Sequence, residues 1–259
     1  MDLGLKGKTA LVTASSNGIG KQCALALAAE GARIILCGRD AGRLAATAEE
    51  VAQLAGADNV LAVQADLSNA ADIDRLCDTG RERFGQIDIL VFIGGSPKRG
   101  GFADVSDADL LEAFDVTVMA GFRLTRNLVP DMRRRKWGRV VTVQARSVRE
   151  PIPDLVTSVA TRPGVAGLFK YLANEAAADG VLVNVIVPGR INTDRFRKGA
   201  EEAKAGADNY VKMKVGDIPI GRLGESHEIA SAVCFLVSEQ ASYINGVALQ
   251  VDGGVIKAI

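Results

Sequence analysis

Residues 8–20, K-T-A-L-V-T-A-S-S-N-G-I-G, constrain this chain more than any other stretch. Residues 9–13 form a short β-branched and aliphatic run, the composition of a strand buried on both faces of a parallel sheet. Ser15, Ser16, Asn17 and Gly18 break that run. A helical apolar pattern follows at once through Ile19, Cys23, Leu25, Leu27 and Ala28, with Gly31 as its stop. Strand, glycine turn and helix start, in that order, make a phosphate site. Backbone N–H groups and the positive end of the helix dipole can meet a pyrophosphate only where no Cβ intervenes. Gly18 and Gly20 would supply that approach, with Thr13, Ser15, Ser16, Asn17 and Ile19 completing the loop. Taken alone, the loop is equally compatible with an ordinary strand-to-helix turn.

Strand-like runs recur at 34–37, 60–64, 89–93, 139–143, 182–187 and 247–251, with helical patterns between most of them. That alternation predicts an α/β fold, a doubly wound parallel sheet covered on both faces. No linker or internal repeat interrupts it, so all 259 residues read as a single domain. A hydrophobic content of 48% is enough for a large core. Two irregular regions, 94–101 and the polar stretch 192–214, follow strands. They predict a ligand loop and a lid beyond the carboxyl ends of the sheet, where open α/β sheets bind ligands.

Thirty-one basic residues balance thirty-one acidic ones, which gives no reason to expect nucleic acid or an anionic membrane as partner. The run 133–136, R-R-R-K, reads as the basic end of a helix starting near Asp109, where the helix dipole favours cations. Cys23, Cys37, Cys77 and Cys234 are scattered in apolar patterns and read as small buried hydrophobes of a reducing compartment. With one histidine, His227, at the surface start of a helix and no cysteine cluster, no metal site is expected. No secretory leader and no run near the roughly 18 apolar residues of a membrane span is visible. The expectation is a soluble, cytoplasmic protein.

The first loop resembles the T-G-x-x-x-G-x-G turn of the short-chain dehydrogenase/reductase family, with Ala14 where that family usually has its first glycine. Asp66-Leu67 after the third strand looks like the family's adenine-contacting pair, and Pro188-Gly189 after the sixth like its nicotinamide-side pair. Residues 221–254, including G-R-L-G, A-S-Y-I-N-G and V-D-G-G, are similar to the family's last helix and strand. The resemblance implies a Rossmann-like sheet and a nicotinamide dinucleotide, with Gly94 and Ile191 also at the cofactor. An acid ending the second strand would bond a ribose 2′-hydroxyl, whereas an arginine accommodates a 2′-phosphate. Here the strand ends Cys37-Gly38-Arg39, which favours NADP(H) over NAD(H), with Arg39 forking the phosphate. The competing reading makes Arg39 a solvated residue heading a helix capped by Asp40.

The family's chemistry uses a tyrosine as proton donor, a lysine four residues on, a serine after the fifth strand and an asparagine in the preceding helix. Aligned on residues 138–141 and 164–175, this chain carries Ser158 at the tyrosine, Arg162 at the lysine, Ala145 at the serine and Thr117 at the asparagine. Phe92-Ile93-Gly94-Gly95 replaces an asparagine-rich turn. Ser158 is a far weaker acid than a phenol, and Arg162 orients or binds without shuttling protons. Pro163 predicts that the helix begins there or kinks there, so that Ser158 and Arg162 need not share a face. Tyr210 and Lys214 do satisfy Y-x-x-x-K, but in the expected lid, where the family has no catalyst. They read as a chance match, with a tyrosine swinging over the substrate as the minor alternative. Tyr171 and Tyr243 read as packing residues.

Positive charge marks the expected site: Lys98 and Arg99 in the glycine loop, Arg146, Arg162 and Arg190. Converging arginines suit a carboxylate or phosphate. Against that, Lys98, Arg99 and Arg146 can simply face solvent, and Arg190 can pair with Asp194. The resemblance is to ketoacyl-carrier-protein reductases, which implies an oxidoreductase acting on a small, anionic carbonyl or hydroxyl substrate. Ser158, Arg162, Gln144 and Thr117 are the candidate catalytic residues, with Ser147 beside them. Two other classes remain open: a non-redox lyase or isomerase of retro-aldol type, and a catalytically inactive binding or assembly subunit. A homotetramer or homodimer is the assembly the resemblance implies.

Overall fold

Each strand-like run forms a strand in the computed structural model, which describes residues 2–203 and 206–258. They are β1 (Thr9–Val12), β2 (Arg33–Gly38), β3 (Val60–Gln64), β4 (Ile89–Ile93), β5 (Gly138–Val143), β6 (Val181–Pro188) and β7 (Ala248–Val251). All pair in parallel, in the order β3-β2-β1-β4-β5-β6-β7. The chain winds outward from β1 to β3, then returns to place β4 on the other side of β1. That reversal opens a crevice above the carboxyl ends of β1 and β4, the ligand position of a doubly wound sheet.

The helices are α1 (Gly18–Ala29), α2 (Ala41–Ala55), α3 (Ala70–Phe84), α4 (Asp107–Phe114), α5 (Ala120–Arg134), α6 (Val156–Ala176), α7 (Asp194–Glu201), α8 (Ala207–Gly216) and α9 (Ser226–Val237). Side chains alternate across each strand, so the near-continuous apolar runs feed two cores at once. Ala10, Val12, Ile34, Leu36, Ile89 and Val91 join the layer of α1, α2 and α9. Leu11, Ile35, Leu90, Phe92 and Val140 join the layer of α3, α5 and α6. Each such buried Val, Leu, Ile or Phe side chain contributes about 1.5–3 kcal/mol. Phe92 stacks on Phe169 at 6.1 Å, fixing the end of β4 against α6.

Three expectations are corrected here. Pro163 neither starts the helix nor separates its two faces: α6 begins at Val156 and runs through it. The ring removes one donor, the one due to the Val159 carbonyl. Burial of Thr161, Arg162, Val165 and Phe169 on either side outweighs that loss. Secondly, the stretch 192–214 is not irregular. Thr193 caps α7 by accepting from the Phe196 N–H (3.3 Å), and α8 follows; residues 204 and 205 of the expected lid lie outside the described residues. Both helices bury so little that no apolar period betrayed them. Thirdly, Tyr171 and Tyr243 are exposed rather than packed.

The expected helix near Asp109 starts at Asp107, with Ser106 and Asp109 closing a capping box. A single π turn, Asp115–Met119, then joins α4 to α5. The basic run at its end is neutralised locally: Arg133 and Lys136 meet Asp179, Arg134 meets Asp131 and Arg135 meets Asp88. All four cysteines are buried and unpaired, and burial drives their thiols upward, Cys37, Cys77 and Cys234 to about 12. No helix among the described residues is long and apolar enough to cross a membrane.

Candidate active site

The first loop is held by hydroxyls. Thr13 Oγ1 donates to the Ile93 carbonyl (2.9 Å) and accepts from the Ile93 N–H (2.8 Å), stitching β1 to β4 at the switch point. Ser15 Oγ accepts from the Cys37 N–H (2.9 Å), fastening the loop to β2. Both residues are fully buried, so what they contribute to a ligand is the position of the loop. Ala14 keeps the left-handed backbone that glycine would adopt there, with φ of 49°. A left-handed residue with a Cβ is strained by about 1–2 kcal/mol, part of which glycine's greater freedom in the unfolded chain takes back. Ala14→Gly is therefore expected to stabilise the protein by about 0.5–1 kcal/mol in urea denaturation.

The two glycines of the loop have different jobs. A Cβ on Gly20 would lie 2.3 Å from the Ala14 carbonyl oxygen, so Gly20 lets α1 close onto its own turn. Gly18, with φ of 54°, has only a Thr193 methyl at 3.9 Å from its Cβ position and is the one that leaves the approach open. Asn17 caps nothing with its side chain, and no acidic residue stands in the first turn of α1. The orphan N–H groups of that turn and its dipole are thus available to an anion.

Beside the loop lies a cleft of about 360 Å³ lined by Ser16, Asn17, Gly38, Arg39, Arg43, Leu67 and Gly94 among others. The end of the second strand has the geometry of the competing reading, with Arg39 facing the cleft. Asp40 does cap α2, accepting from the Arg43 N–H (3.0 Å), while Arg39 is exposed on the cleft with its carbonyl bound by Gln64 Nε2 (2.8 Å). Arg39 enters no ion pair among the described residues, and Arg43 reaches Asp40 only at 3.6 Å. Arg43 is a candidate that sequence reasoning passed over, because it reads as an ordinary helix-surface residue. Asp66 directs its carboxylate to the N–H (2.9 Å) and hydroxyl (2.8 Å) of Ser68, shaping the entry to α3, so only Leu67 of that pair reaches the cleft. An open N-terminal turn, two cations at the strand end and no carboxylate at position 38 fit a dinucleotide with a 2′-phosphate.

A second cleft, of about 520 Å³, adjoins the first past Ile19. Its floor is Gln144, Ala145 and Arg146 beyond β5, its walls are Arg162 and the turn Pro188 to Ile191, and α7 and α8 form its roof. Gly189 packs so closely on Asp252 that a Cβ would lie 2.7 Å from its backbone. Ser158 and Arg162 do share a face of α6, yet they do different things. Ser158 Oγ bonds Ser147 Oγ (2.9 Å), and both are buried away from the cleft wall. Arg162 is 8% exposed. Its Nη1 donates to Gln144 Oε1 (3.1 Å), its Nη2 to the Gly95 carbonyl (3.4 Å), and its Nε has no partner. Gln144 in turn donates to Thr142 Oγ1 (2.5 Å). Thr117 is not brought to this cluster: it sits in the π turn, buried, with its hydroxyl on the Ala113 carbonyl (2.5 Å).

The charges of this second cleft divide into two groups. Arg146 is turned inward and pairs with Glu150 at 3.6 Å, and Arg190 pairs with Asp217 at 2.9 Å and with the Lys214 carbonyl. The expected partner of Arg190, Asp194, is taken by Arg197. Lys98 is paired with Asp109. In contrast Arg99, Arg162 and Arg195 line the cleft with no ion pair among the described residues. Burial, and secondarily Arg195, pushes the Arg162 guanidinium down to about 10, while burial and then Arg99 lower Arg195. Arg195, which donates to the Pro97 carbonyl (3.3 Å), was invisible to sequence reasoning, because only α7 brings it over the sheet.

A doubly wound sheet, an uncapped glycine turn at its switch point and a cationic cleft beside it fit the class of nucleotide-binding α/β domains. Comparison with known proteins agrees. The sequence profile of the family described as Enoyl-(Acyl carrier protein) reductase matches residues 13–256. The 3-oxoacyl-acyl-carrier-protein reductase FabG of Salmonella typhimurium is 32% identical over 252 residues, covering 97% of this chain and 98% of the relative. The uncharacterized oxidoreductase YvrD of Bacillus subtilis is 33% identical over 268 residues, covering both chains fully. Among solved structures, L-sorbose reductase from Gluconobacter frateurii, complexed with NADPH and L-sorbose, superposes with a TM-score of 0.94 at 33% identity, with 100% of each chain covered. The chain belongs to the short-chain dehydrogenase/reductase family of oxidoreductases.

Proposed function

We propose that this protein is an NADP(H)-dependent reductase of a small anionic carbonyl compound, with an atypical site in which Thr117, Ala145, Ser158 and Arg162 replace the usual asparagine, serine, tyrosine and lysine. The observation that carries the anionic substrate is the trio of arginines, Arg99, Arg162 and Arg195, that line one cleft without an ion pair among the described residues. A buried cation without a counter-ion is costly, and a bound carboxylate or phosphate supplies the missing charge. Arg39 and Arg43 support the 2′-phosphate, and the relative of known structure was solved with NADPH.

When bound, the cofactor would supply a hydride for the substrate carbonyl. The first turn of α1 would hold its pyrophosphate through backbone N–H groups, with Leu67 and Gly94 lining the same cleft. Pro188, Gly189, Ile191 and Ile19 form the apolar wall that excludes water beside the reacting carbon. Arg162, oriented by Gln144, holds the substrate's negative group or polarises its carbonyl oxygen. Helices α7 and α8 act as the lid over it. The protein works in the cytoplasm, consistent with four unpaired cysteines, as a homotetramer or homodimer. Exposed Leu110, Leu111, Phe114 and Phe122 along α4 and α5 support self-association, which sedimentation equilibrium measures.

Calorimetric titration of the nucleotide-free protein with NADPH and NADH tests the reading, followed by nicotinamide absorbance with acetoacetate and 2-oxoglutarate against neutral L-sorbose. NADPH binds more tightly than NADH, and the anionic carbonyls turn over faster than the sugar. No binding of either nucleotide at millimolar concentration sinks the proposal and leaves anion chemistry without hydride transfer.

A further inference from the structure

The sequence contains one Tyr-x-x-x-Lys pair, Tyr210 and Lys214, on a helix outside the expected catalytic segment. Folding brings both residues onto the wall of the same cleft as Gln144 and Arg162. The Tyr210 ring packs on Phe196 of α7 at 5.6 Å. One helical turn on, Lys214 Nζ stands 5.3 Å from the centre of that ring. The phenol oxygen and Arg99 Nη1 each lie 3.7 Å from the position a Cβ would take on Gly199, so they lie within twice that distance of one another. A negative charge forming on this phenol would have one cation beside the ring and a second within that reach of the oxygen.

We propose that Tyr210 of the lid donates the proton to the substrate oxygen, with Lys214 and Arg99 stabilising the phenolate it leaves. The inference rests on the reductase reading above. Its warrant is the donor inventory of the cleft. Ser158 and Ser147 are bonded to each other off the wall, and the Thr117 hydroxyl is engaged inside its helix. Thr193 is the cap of α7, and the Arg162 guanidinium is held in hydrogen bonds to Gln144 and the Gly95 carbonyl. The phenol is the remaining neutral acid of suitable strength. In the balanced step, the C4–H bond of the reduced nicotinamide would break as its hydride forms the new C–H bond at the carbonyl carbon, leaving NADP+. The C–O π electrons move to oxygen as the Tyr210 O–H bond breaks and the alcohol O–H bond forms. Water then reprotonates the phenolate.

Two readouts test this. The first is turnover of acetoacetate and 2-oxoglutarate by wild type, Tyr210→Phe and Lys214→Met. In Tyr210→Phe, kcat falls by about 100-fold or more while KM and calorimetric NADPH affinity stay near wild type; Lys214→Met loses less. A larger loss in Lys214→Met assigns the proton to the ammonium and overturns the proposal, as does undiminished turnover in Tyr210→Phe. The second readout needs no turnover: acetylation of the nucleotide-free protein by N-acetylimidazole, followed by peptide mass spectrometry. Tyr171 and Tyr243 are exposed internal references. Added 2-oxoglutarate slows acetylation of Tyr210 alone; equal rates with and without it place Tyr210 outside the substrate site and overturn the proposal. A wild type that binds no NADPH, with Tyr210 still protected, would sink the reductase reading instead, and the proton-donor role with it.

Discussion

Arg162→Met is expected to yield a protein at least as stable as wild type that binds anionic carbonyl substrates about 100-fold more weakly. The guanidinium is 8% exposed, has no carboxylate partner among the described residues, and feels Arg195 as a second positive charge. Removing a charge from such surroundings saves a desolvation penalty of several kcal/mol. Against it stand the acceptors left behind, Gln144 Oε1 and the Gly95 carbonyl, at about 1 kcal/mol each. Methionine fills a comparable volume with a flexible apolar chain. The balance favours the variant by about 1–3 kcal/mol in urea denaturation of the nucleotide-free protein. The same substitution strips the cleft of its most buried cation, so affinity is lost where stability is gained. A variant destabilised by several kcal/mol would mean that the guanidinium has a strong partner in the folded protein.

The pH dependence follows in sign. Folding lowers the pKa of Arg162 from the ordinary guanidinium range to about 10, so the folded state is the one that disfavours the charge. Below about 10 the group is charged in both folded and unfolded chains and its penalty is fully present. Above about 10 the folded protein releases the proton before the unfolded chain does, and the penalty is progressively relieved. Wild type therefore loses less stability than Arg162→Met over that alkaline window, while its affinity for anions declines.

Arg39→Glu is expected to weaken NADPH binding about 10- to 100-fold and to leave NADH binding unchanged or slightly tighter. A charge-assisted bond to a 2′-phosphate contributes about 1.5–3 kcal/mol, and the introduced carboxylate adds repulsion. The same carboxylate can accept from a 2′-hydroxyl, the arrangement of NAD-selective sheets. Arg43, on the same cleft and only loosely tied to Asp40, retains part of the phosphate affinity, so Arg43→Ala gives a smaller loss of the same selectivity. Calorimetry with both nucleotides decides it. Equal losses for the two would assign Arg39 to holding the strand end rather than to reading the phosphate.

Several features were legible from residue order. The strand runs 60–64 and 89–93 coincide with β3 and β4, because a buried parallel strand needs a short continuous apolar stretch bounded by turn residues. The glycine turn and the Gly38-Arg39 strand end were legible for a similar reason: their meaning depends on neighbours in sequence. Local chemistry of this kind determined the doubly wound fold and the position of the glycine turn at the end of β1.

What lies between elements was decided only by folding. Pro163 was a breaker by local rules, but packing on both its flanks carries α6 through it and sets Arg162 on the cleft wall. Arg190 found Asp217 rather than Asp194, since ion pairs follow distance in space and not along the chain. Arg195 and Tyr210 gained their places from α7 and α8, helices whose scant apolar content left no period to read. The sequence by itself determined the sheet and the cofactor loop, because burial and turn geometry are written in neighbouring residues. The tertiary structure alone decided which cations remain without partners and which phenol faces them, because charge balance in a cleft is a property of residues brought together from distant parts of the chain.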